Sequence, residues 1–267
     1  MGELSLATAL SQWSGFLSIG KRDRTKDYHR EIVALILRDW PDVNMPVDAI
    51  TPEQVIEFVQ KVERFSVSRF NAIVTALRAT VPVARKLKRR RVRLKDRVLL
   101  TEEQFARLLA ELDRAYRGHG GLLIRFLAHT GLRINEARQL KWLDVHEKFL
   151  LLPGEITKNG EPRAVPLING VRDTLEKLRA VTGQGERVLP QAECKTALNS
   201  ACARAGVPRL SHHDFRHLFT TRCVQSGVDI PTVARWLGHL DGGALLARTY
   251  FHLADEHSLL MAQKVRL

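Results

Sequence analysis

The sequence is poor in the residues that mark secreted, metal-binding or membrane-spanning proteins. It has three cysteines in 267 residues, Cys194, Cys202 and Cys223. Their odd number and spacing match neither a disulfide framework nor a zinc-binding pattern. No apolar run is long enough to span a bilayer, and the first residues lack the apolar core of a signal peptide. We therefore expect a cytoplasmic protein that works in a reducing environment without a membrane.

Aromatic and acidic residues are also scarce. Aromatics make up 6% of the chain, whereas 45% of it is hydrophobic, which is enough for the cores of one or two domains. Because 42 Lys and Arg face only 29 Asp and Glu, the formal net charge is +13. Such an excess favours a polyanionic partner such as nucleic acid. A basic protein without such a partner is the alternative at this point.

The first part of the chain has the pattern of a helical domain, which we place at residues 1–90. Thr51 to Gln54 reads as a capping box with proline at the first helical position. Apolar residues follow it at helical spacing. Similar patterns predict helices at about residues 25–40 and 67–87, so this part is expected to be a helical bundle.

A strongly basic segment follows, and we interpret it as an interdomain linker over residues 86–99. Its core, KLKRRRVRLKDR at 86–97, holds eight Lys or Arg in twelve positions. A solvated linker, the last turn of a charged helix or a nuclear-localisation signal would also produce this run. With the overall charge in mind, we favour contacts to DNA phosphates, which add affinity without reading sequence. The residues concerned are Lys86, Lys88, Arg89, Arg90, Arg91 and Arg93.

The second part, residues 100–267, mixes helices with short strands. Thr101 to Gln104 is a second capped helix start, and a further helix is expected at about 122–129. Between residues 142 and 167, WLDVH, KFLLLP and RAVPL read as short strands, and a turn at 158–160 carries Lys158. The expected fold class is mainly α with a small antiparallel β-sheet.

Three stretches of this second part hold basic residues at unusual positions. In HTGLRINEARQLKW, residues 129–142, Arg133 begins a helix and Glu136 follows one turn later. A cation at a helix N-terminus is opposed by the helix dipole, unless it shares an anion with the free N–H groups there. A surface ion pair with Glu136 is the alternative. In VARWLGHLDGGALLARTYFH, residues 233–252, His239 follows the end of a helix, and Tyr250 lies further along.

The third stretch, LSHHDFRHLFTTR at residues 210–222, places His213 and Arg216 on one face of a predicted helix. A metal site could draw on His212, His213, His217 and Cys223. However, an arginine in the middle of that group would repel a metal ion, and adjacent histidines point in different directions. We therefore favour an anion as the ligand and expect no metal.

Together these motifs resemble the tyrosine recombinase (phage integrase) family across residues 100–253. The resemblance consists of TGLR with a glutamate three residues on, a hairpin TK…RAVPL, then HDFRH, LGH and a tyrosine, in the family's order. It implies an N-terminal helical bundle that binds the core DNA site and an α+β catalytic domain. The interval from His239 to Tyr250 is about two residues longer than the commonest family pattern, yet no other tyrosine follows His239. The implied catalytic residues are Arg133, Lys158, His213, Arg216, His239 and Tyr250, with Glu136 and His217 in support.

The resemblance also implies a reaction and partners. The tyrosine would attack a DNA phosphodiester and form a 3′-phosphotyrosyl link, without a cofactor or a metal. Double-stranded DNA would be the substrate, with a homotetramer on paired sites, a monomer in free solution, and DNA-bending accessory factors as further partners. The source would be bacterial or phage-derived, and the protein would lie at the nucleoid. The tail at 256–267 would dock on a neighbouring subunit or pack in cis. A catalytically inactive DNA-binding protein, a type IB topoisomerase and a resolvase are the alternative functions.

Overall fold

A computed structural model describes residues 3–91, 99–115, 120–168, 170–189, 195–244 and 246–247. It divides the chain into two compact units, Met1–Lys95 and Asp96–Leu267. Four features that the sequence analysis names lie outside the described residues: Arg93, Cys194, Tyr250 and the C-terminal tail.

The described residues of unit 1 form four α-helices, and three of them begin at a residue whose side chain caps the first turn. The described helices are α1 (Leu6–Ser18), α2 (Asp23–Asp39), α3 (Pro52–Val62) and α4 (Val67–Thr80). The predicted capping box is present, since the Thr51 N–H donates to Oε1 of Gln54 at 2.9 Å and the Gln54 N–H donates back to Thr51. Buried side chains such as Ile36, Phe58 and Ile73 form the core between the helices.

The last predicted helix of unit 1 is shorter than expected. The prediction of one helix to residue 87 is wrong, because α4 ends at Thr80 and Pro82–Lys86 forms a separate 3-10 helix. Val81, which precedes the proline, takes an extended conformation with φ −113° and ψ 115°. A residue before proline is pushed out of the α region by the proline ring, which also lacks the N–H that a continuing helix needs.

The beginning of the basic linker is fixed to unit 1 through Arg90. Asn71 accepts a hydrogen bond from the Arg90 N–H at 2.7 Å and donates one to the Arg90 carbonyl at 2.8 Å. The Arg90 guanidinium lies 4.0 Å from the centre of the Phe70 ring and pairs with Glu63 at 2.9 Å. Arg90 therefore has a structural role that the sequence did not predict. Lys86, Lys88, Arg89 and Arg91 are exposed.

Unit 2 packs its helices around a large apolar core. The described helices are α5 (Glu102–Ala115), α6 (Gly120–Thr130), α7 (Ile134–Gln139), α8 (Val171–Thr182), α9 (Lys195–Arg204), α10 (His212–Gln225) and α11 (Ile230–Leu237). The second predicted capping box is present between Thr101 and Gln104. Phe105, Phe126 and Phe215 lie in the main core. Within the described ranges, no helix has the length and apolar character needed to cross a membrane.

A two-stranded antiparallel sheet completes unit 2 and confirms the expected fold class. Strand β1 (Phe149–Leu152) pairs with β2 (Arg163–Pro166), with Leu150 opposite Val165. The predicted strand at WLDVH is wrong, because Trp142–Asp144 forms a 3-10 turn. The Asp144 carboxylate accepts a hydrogen bond from the Lys141 N–H at 2.9 Å. Such a local bond from a side chain to the backbone competes with strand formation.

Candidate active site

Chain segments that are far apart in sequence meet at a cavity of about 550 Å³ in unit 2. Its wall includes the N-cap residue of α7, one face of α10, the end of α11 and the connection between β1 and β2. Five of the six predicted catalytic residues line it: Arg133, Lys158, His213, Arg216 and His239. The sixth, Tyr250, lies outside the described residues. The structure thus brings the predicted basic residues into one place.

Arg216 reaches the cavity from α10 and is held by two backbone carbonyls. Its Nη1 donates to the Gly131 carbonyl at 2.8 Å, and its Nη2 donates to the Leu237 carbonyl at 2.7 Å. Only 3% of the residue is exposed. Gly131 has φ 64°, and an added Cβ there would collide with Phe219. Glycine is therefore required where the chain turns its carbonyl towards Arg216.

Arg133 lies at the N-cap of α7 and is bound to Glu136. Its Nη1 lies 2.8 Å from Oε1 of Glu136 and 3.4 Å from the Leu237 carbonyl, which Arg216 also uses. The second carboxylate oxygen of Glu136 accepts the Arg133 backbone N–H at 3.0 Å. The side chain of Arg133 keeps 27% of its surface exposed. Arg133 is therefore paired with Glu136 and at the same time exposed at the cavity wall.

Glu136 does not line the cavity but lies buried behind it, only 1% exposed. Arg163 binds both of its carboxylate oxygens, at 2.6 Å and 3.2 Å. Burial alone would raise the pKa of Glu136, but the hydrogen bonds and charges of Arg163 and Arg133 outweigh burial and lower it. The carboxylate is therefore ionised at neutral pH and links the two arginines.

Arg163 is the residue that the sequence interpretation missed. It begins β2, and its Nε donates to the Trp236 carbonyl at 2.8 Å. The burial of Arg163 could have been predicted from RAVPL. Arg163 and Val165 are two residues apart in a strand, so their side chains lie on the same face, which is the buried one. A buried arginine needs a carboxylate partner, and Glu136 supplies it.

His239 follows the C-terminus of α11, which ends at Gly238 with φ 67°. The His239 N–H donates to the Ala234 carbonyl at 3.0 Å, which closes the helix end. Burial and the charges of Arg216 and Arg133 lower the pKa of the His239 imidazole, and Asp241, 4.0 Å away, partly offsets them. The ring is therefore neutral at pH 7.

His213 and His217 lie one turn apart near the N-terminus of α10, with ring centres 4.5 Å apart and nearly perpendicular. Among the described residues, no group of three or more His, Cys, Asp or Glu side chains could hold a metal ion. Cys223, which a metal site could also have drawn on, is buried beside α11, and burial raises the pKa of its thiol to about 11. His213, His217 and Arg216 line the same cavity.

Lys158 lies in the 153–162 connection between the two strands, as the hairpin motif predicts. Its side chain is exposed at the cavity wall beside Asn159. The connection is shaped by a Thr157 hydroxyl that donates to the Gly154 carbonyl at 2.9 Å, and by Gly160 at φ 82°. These features turn the chain so that Lys158 stands at the edge of the cavity.

Comparisons with known proteins point to one family. Residues 99–257 match the model of the phage integrase family. A curated tyrosine recombinase of Thermosipho africanus is 26% identical over 190 residues, which cover 67% of this chain and 66% of that protein. The chain thus spans just under two thirds of that relative.

Solved structures share the fold. A lambda integrase dimer bound to a COC′ core site superimposes with a TM-score of 0.73 at 17% identity, over 89% of this chain and 96% of the other. A lambda integrase tetramer bound to a Holliday junction gives the same TM-score and identity, over 88% and 77% of the two chains.

Proposed function

Because this chain belongs to the phage integrase family, we propose that it is a site-specific DNA recombinase. It would cleave and rejoin DNA strands through a covalent 3′-phosphotyrosyl intermediate. The observation that carries this proposal is the convergence of Arg133, Arg216, His213 and His239 on one cavity. A phosphodiester is the anion of DNA that fits such a set of donors.

The two arginines would bind the non-bridging oxygens of the scissile phosphate. The transition state places additional negative charge on those oxygens, and a planar guanidinium can bind them through two N–H groups. Arg216 suits this role because two carbonyls fix its orientation before DNA arrives. Preorganised donors act most strongly where no rearrangement is needed during the reaction. His213 and His239 would add hydrogen bonds to the same oxygens.

Tyr250 would be the nucleophile and Lys158 the general acid. The phenol loses its proton to water, and its oxygen forms a bond to phosphorus as the bond from phosphorus to the 5′-oxygen breaks. Lys158 donates a proton to the leaving 5′-oxygen, and the cations around the phosphate stabilise the phenolate. Attack by a second 5′-hydroxyl reverses these steps. The link retains the energy of the phosphodiester, so rejoining requires no nucleotide cofactor.

The remaining groups would support this centre. Glu136 would orient Arg133, and His217 would orient the start of α10 through its contact with His213. Unit 1 would bind the core DNA site. Lys86, Lys88, Arg89, Arg91 and Arg93 would contact phosphates along the linker, whereas the packing of Arg90 on Phe70 favours a structural role.

The assembly is proposed by analogy with the integrases of the same fold. We expect a monomer in free solution and a homotetramer on paired DNA sites, with DNA-bending proteins as additional factors. The solved lambda integrase structures include a dimer and a tetramer on DNA. Because the proposed substrate is DNA, we expect the protein, bacterial or phage-derived, to act at the nucleoid in the cytoplasm.

The experiment is a covalent trapping assay. A duplex that binds the protein is first selected from a randomised library, and a nick near the cleavage point then lets the short product diffuse away. Wild type should form a protein–DNA adduct that resists denaturation and is insensitive to a chelator. Tyr250→Phe should abolish the adduct, and Arg216→Lys should slow its formation roughly 10²- to 10³-fold. Tyr28→Phe is the matched control. An adduct that persists in Tyr250→Phe would refute the assignment.

A further inference from the structure

We propose that Arg163 is a positioning residue for phosphate recognition, an inference that rests on the proposed function. It holds Glu136 and the end of α11 in the places from which Arg133 and Arg216 face the cavity. Arg163 itself does not line the cavity, and 6% of its side chain is exposed. It therefore acts through its neighbours.

The contacts of Arg163 join three elements of unit 2. From β2, its Nη1 and Nη2 reach the two oxygens of Glu136 on α7, and its Nε reaches the Trp236 carbonyl on α11. All three guanidinium nitrogens thus have partners. These hydrogen bonds fix the orientation of the guanidinium. A shift of β2, α7 or α11 would therefore also displace the other two elements.

The last carbonyls of α11 accept hydrogen bonds from three arginines. The last carbonyls of a helix lack partners within the helix. Here the Trp236 carbonyl accepts from Arg163, and the next one, of Leu237, accepts from Arg216 and Arg133. By fixing the first carbonyl, Arg163 fixes the direction of the second. The guanidinium groups of Arg133 and Arg216 are therefore positioned relative to each other by the carbonyl of Leu237, to which both donate.

Arg163 also preserves the positive charge that a phosphate needs. Glu136 carries one negative charge beside Arg133, and a simple pair of these two side chains would have no net charge. With Arg163 included, two guanidinium groups share one carboxylate, so the group stays net positive. Without Arg163, the carboxylate would offset the charge of Arg133 alone, and the attraction of Arg133 for a phosphate would weaken.

Gly238 shows how closely this arrangement is packed. A Cβ at Gly238 would lie 3.1 Å from Cδ and 3.1 Å from Nη1 of Arg163. Arg163 thus leaves little room for a side chain at the residue before His239. Arg163 consequently lies against the chain segment that positions His239 at the cavity.

The test compares two DNA substrates that differ at the scissile phosphate. In a methylphosphonate, a methyl group replaces one non-bridging oxygen and removes the negative charge that the arginines bind. Single-turnover adduct formation is measured at saturating DNA, on the duplex selected from the randomised library, for both stereoisomers. Arg133→Ala identifies the isomer on which the contribution of Arg133 is smallest. Arg172→Met, an exposed arginine on α8, is the matched control.

On phosphate DNA, Arg163→Met should react on the order of 10²-fold more slowly than wild type, while its apparent DNA affinity changes less than about threefold. On the methylphosphonate isomer defined by Arg133→Ala, the deficit should shrink to within about threefold. Arg163→Lys, which retains a buried charge but not the fork, should show the same pattern with a smaller deficit. It serves if the methionine variant fails to fold.

The outcomes separate this inference from the proposed function. An equal fold-deficit on both substrates would show that Arg163 only stabilises the fold, and an unimpaired Arg163→Met would remove the inference altogether. In either case the wild-type adduct would still support the proposed function. Failure of the wild type to form any adduct would instead refute the proposed function itself.

Discussion

Arg163 and Glu136 form a buried ion pair in which Nη2 lies 2.6 Å from Oε2, with 6% and 2% of the two side chains exposed. Desolvation of two charges offsets most of their attraction, so such a pair contributes little net stability. Its partners explain its position: Glu136 also binds Arg133, and Arg163 also binds the end of α11. The pair therefore lies where β2, α7 and the end of α11 must keep fixed positions relative to one another.

Replacing Gly238 tests this spacing against a matched glycine. Gly238 and Gly206 have nearly the same φ, 67° and 66°, but a Cβ at Gly206 would have no atom within 4 Å. Gly206→Ala should lose about 1 kcal/mol of unfolding free energy from backbone strain alone. Gly238→Ala should lose more and should also form the adduct more slowly. Urea denaturation and the trapping assay measure both effects, and equal losses in the two variants would contradict the proposed packing on Arg163.

The role of Lys158 can be isolated by changing the leaving group. A 5′-thiol leaves without the proton that a 5′-hydroxyl requires. Lys158→Ala should therefore form the adduct about 10²-fold more slowly on ordinary DNA but within about tenfold of wild type on DNA with a bridging 5′-sulfur. Lys148→Ala serves as the control, because Lys148 directly precedes β1 and does not line the cavity. A deficit that sulfur does not reduce would assign Lys158 another role.

His239 predicts how stability depends on pH. Burial and the charges of Arg216, Arg133 and Arg163 lower its pKa, whereas Asp241 raises it. The folded state then binds fewer protons than the unfolded state, so unfolding free energy falls as the pH drops below the ordinary value of 6.5. His239→Gln should show a shallower fall between about pH 7 and pH 5 than wild type. His129 has a lowered pKa as well, from burial and nearby arginines, so a residual slope should persist. Chemical denaturation across this pH range measures the unfolding free energy. If His239→Gln had the same dependence of unfolding free energy on pH as wild type, the lowered pKa of His239 would be contradicted.

The elements of the fold that depend on local chemistry could be predicted from the sequence. The capping boxes at Thr51 and Thr101 form within four residues, and the hairpin turn is set by Gly160. The place of Arg90 could not be predicted in this way. Its partner Glu63 lies 27 residues earlier, and nothing in the basic run distinguishes Arg90 from its neighbours.

The candidate site shows the same division. The motif residues that line the cavity could be predicted because the family resemblance fixes their order. The carbonyls that orient them could not be predicted, because any residue provides a carbonyl and the contact of Arg216 with Gly131 spans 85 residues. Arg163 falls between these cases, since its burial follows from strand alternation but its partner does not.

Neighbouring arginines in the linker should behave differently. Arg89 is exposed, whereas Arg90 is bound to Glu63 and Phe70. Arg89→Ala should reduce the slope of log affinity against log salt by about 1, as expected for one lost phosphate contact. Arg90→Ala should leave that slope nearly unchanged and should instead lower the unfolding free energy. Titration of the selected duplex at several salt concentrations measures the slopes, and a similar change in both would place Arg90 on the DNA.

The most direct test of the account is the identity of the residue that holds the DNA after cleavage. Trypsin should release residues 249–264, which contain Tyr250 as their one tyrosine. Mass spectrometry of the digested wild-type adduct should find a 3′-phosphorylated nucleotide on Tyr250, and the other DNA end should carry a free 5′-hydroxyl. Attachment at another residue, or a 5′-phosphoryl linkage, would contradict the proposal that this cavity carries out tyrosine recombinase chemistry.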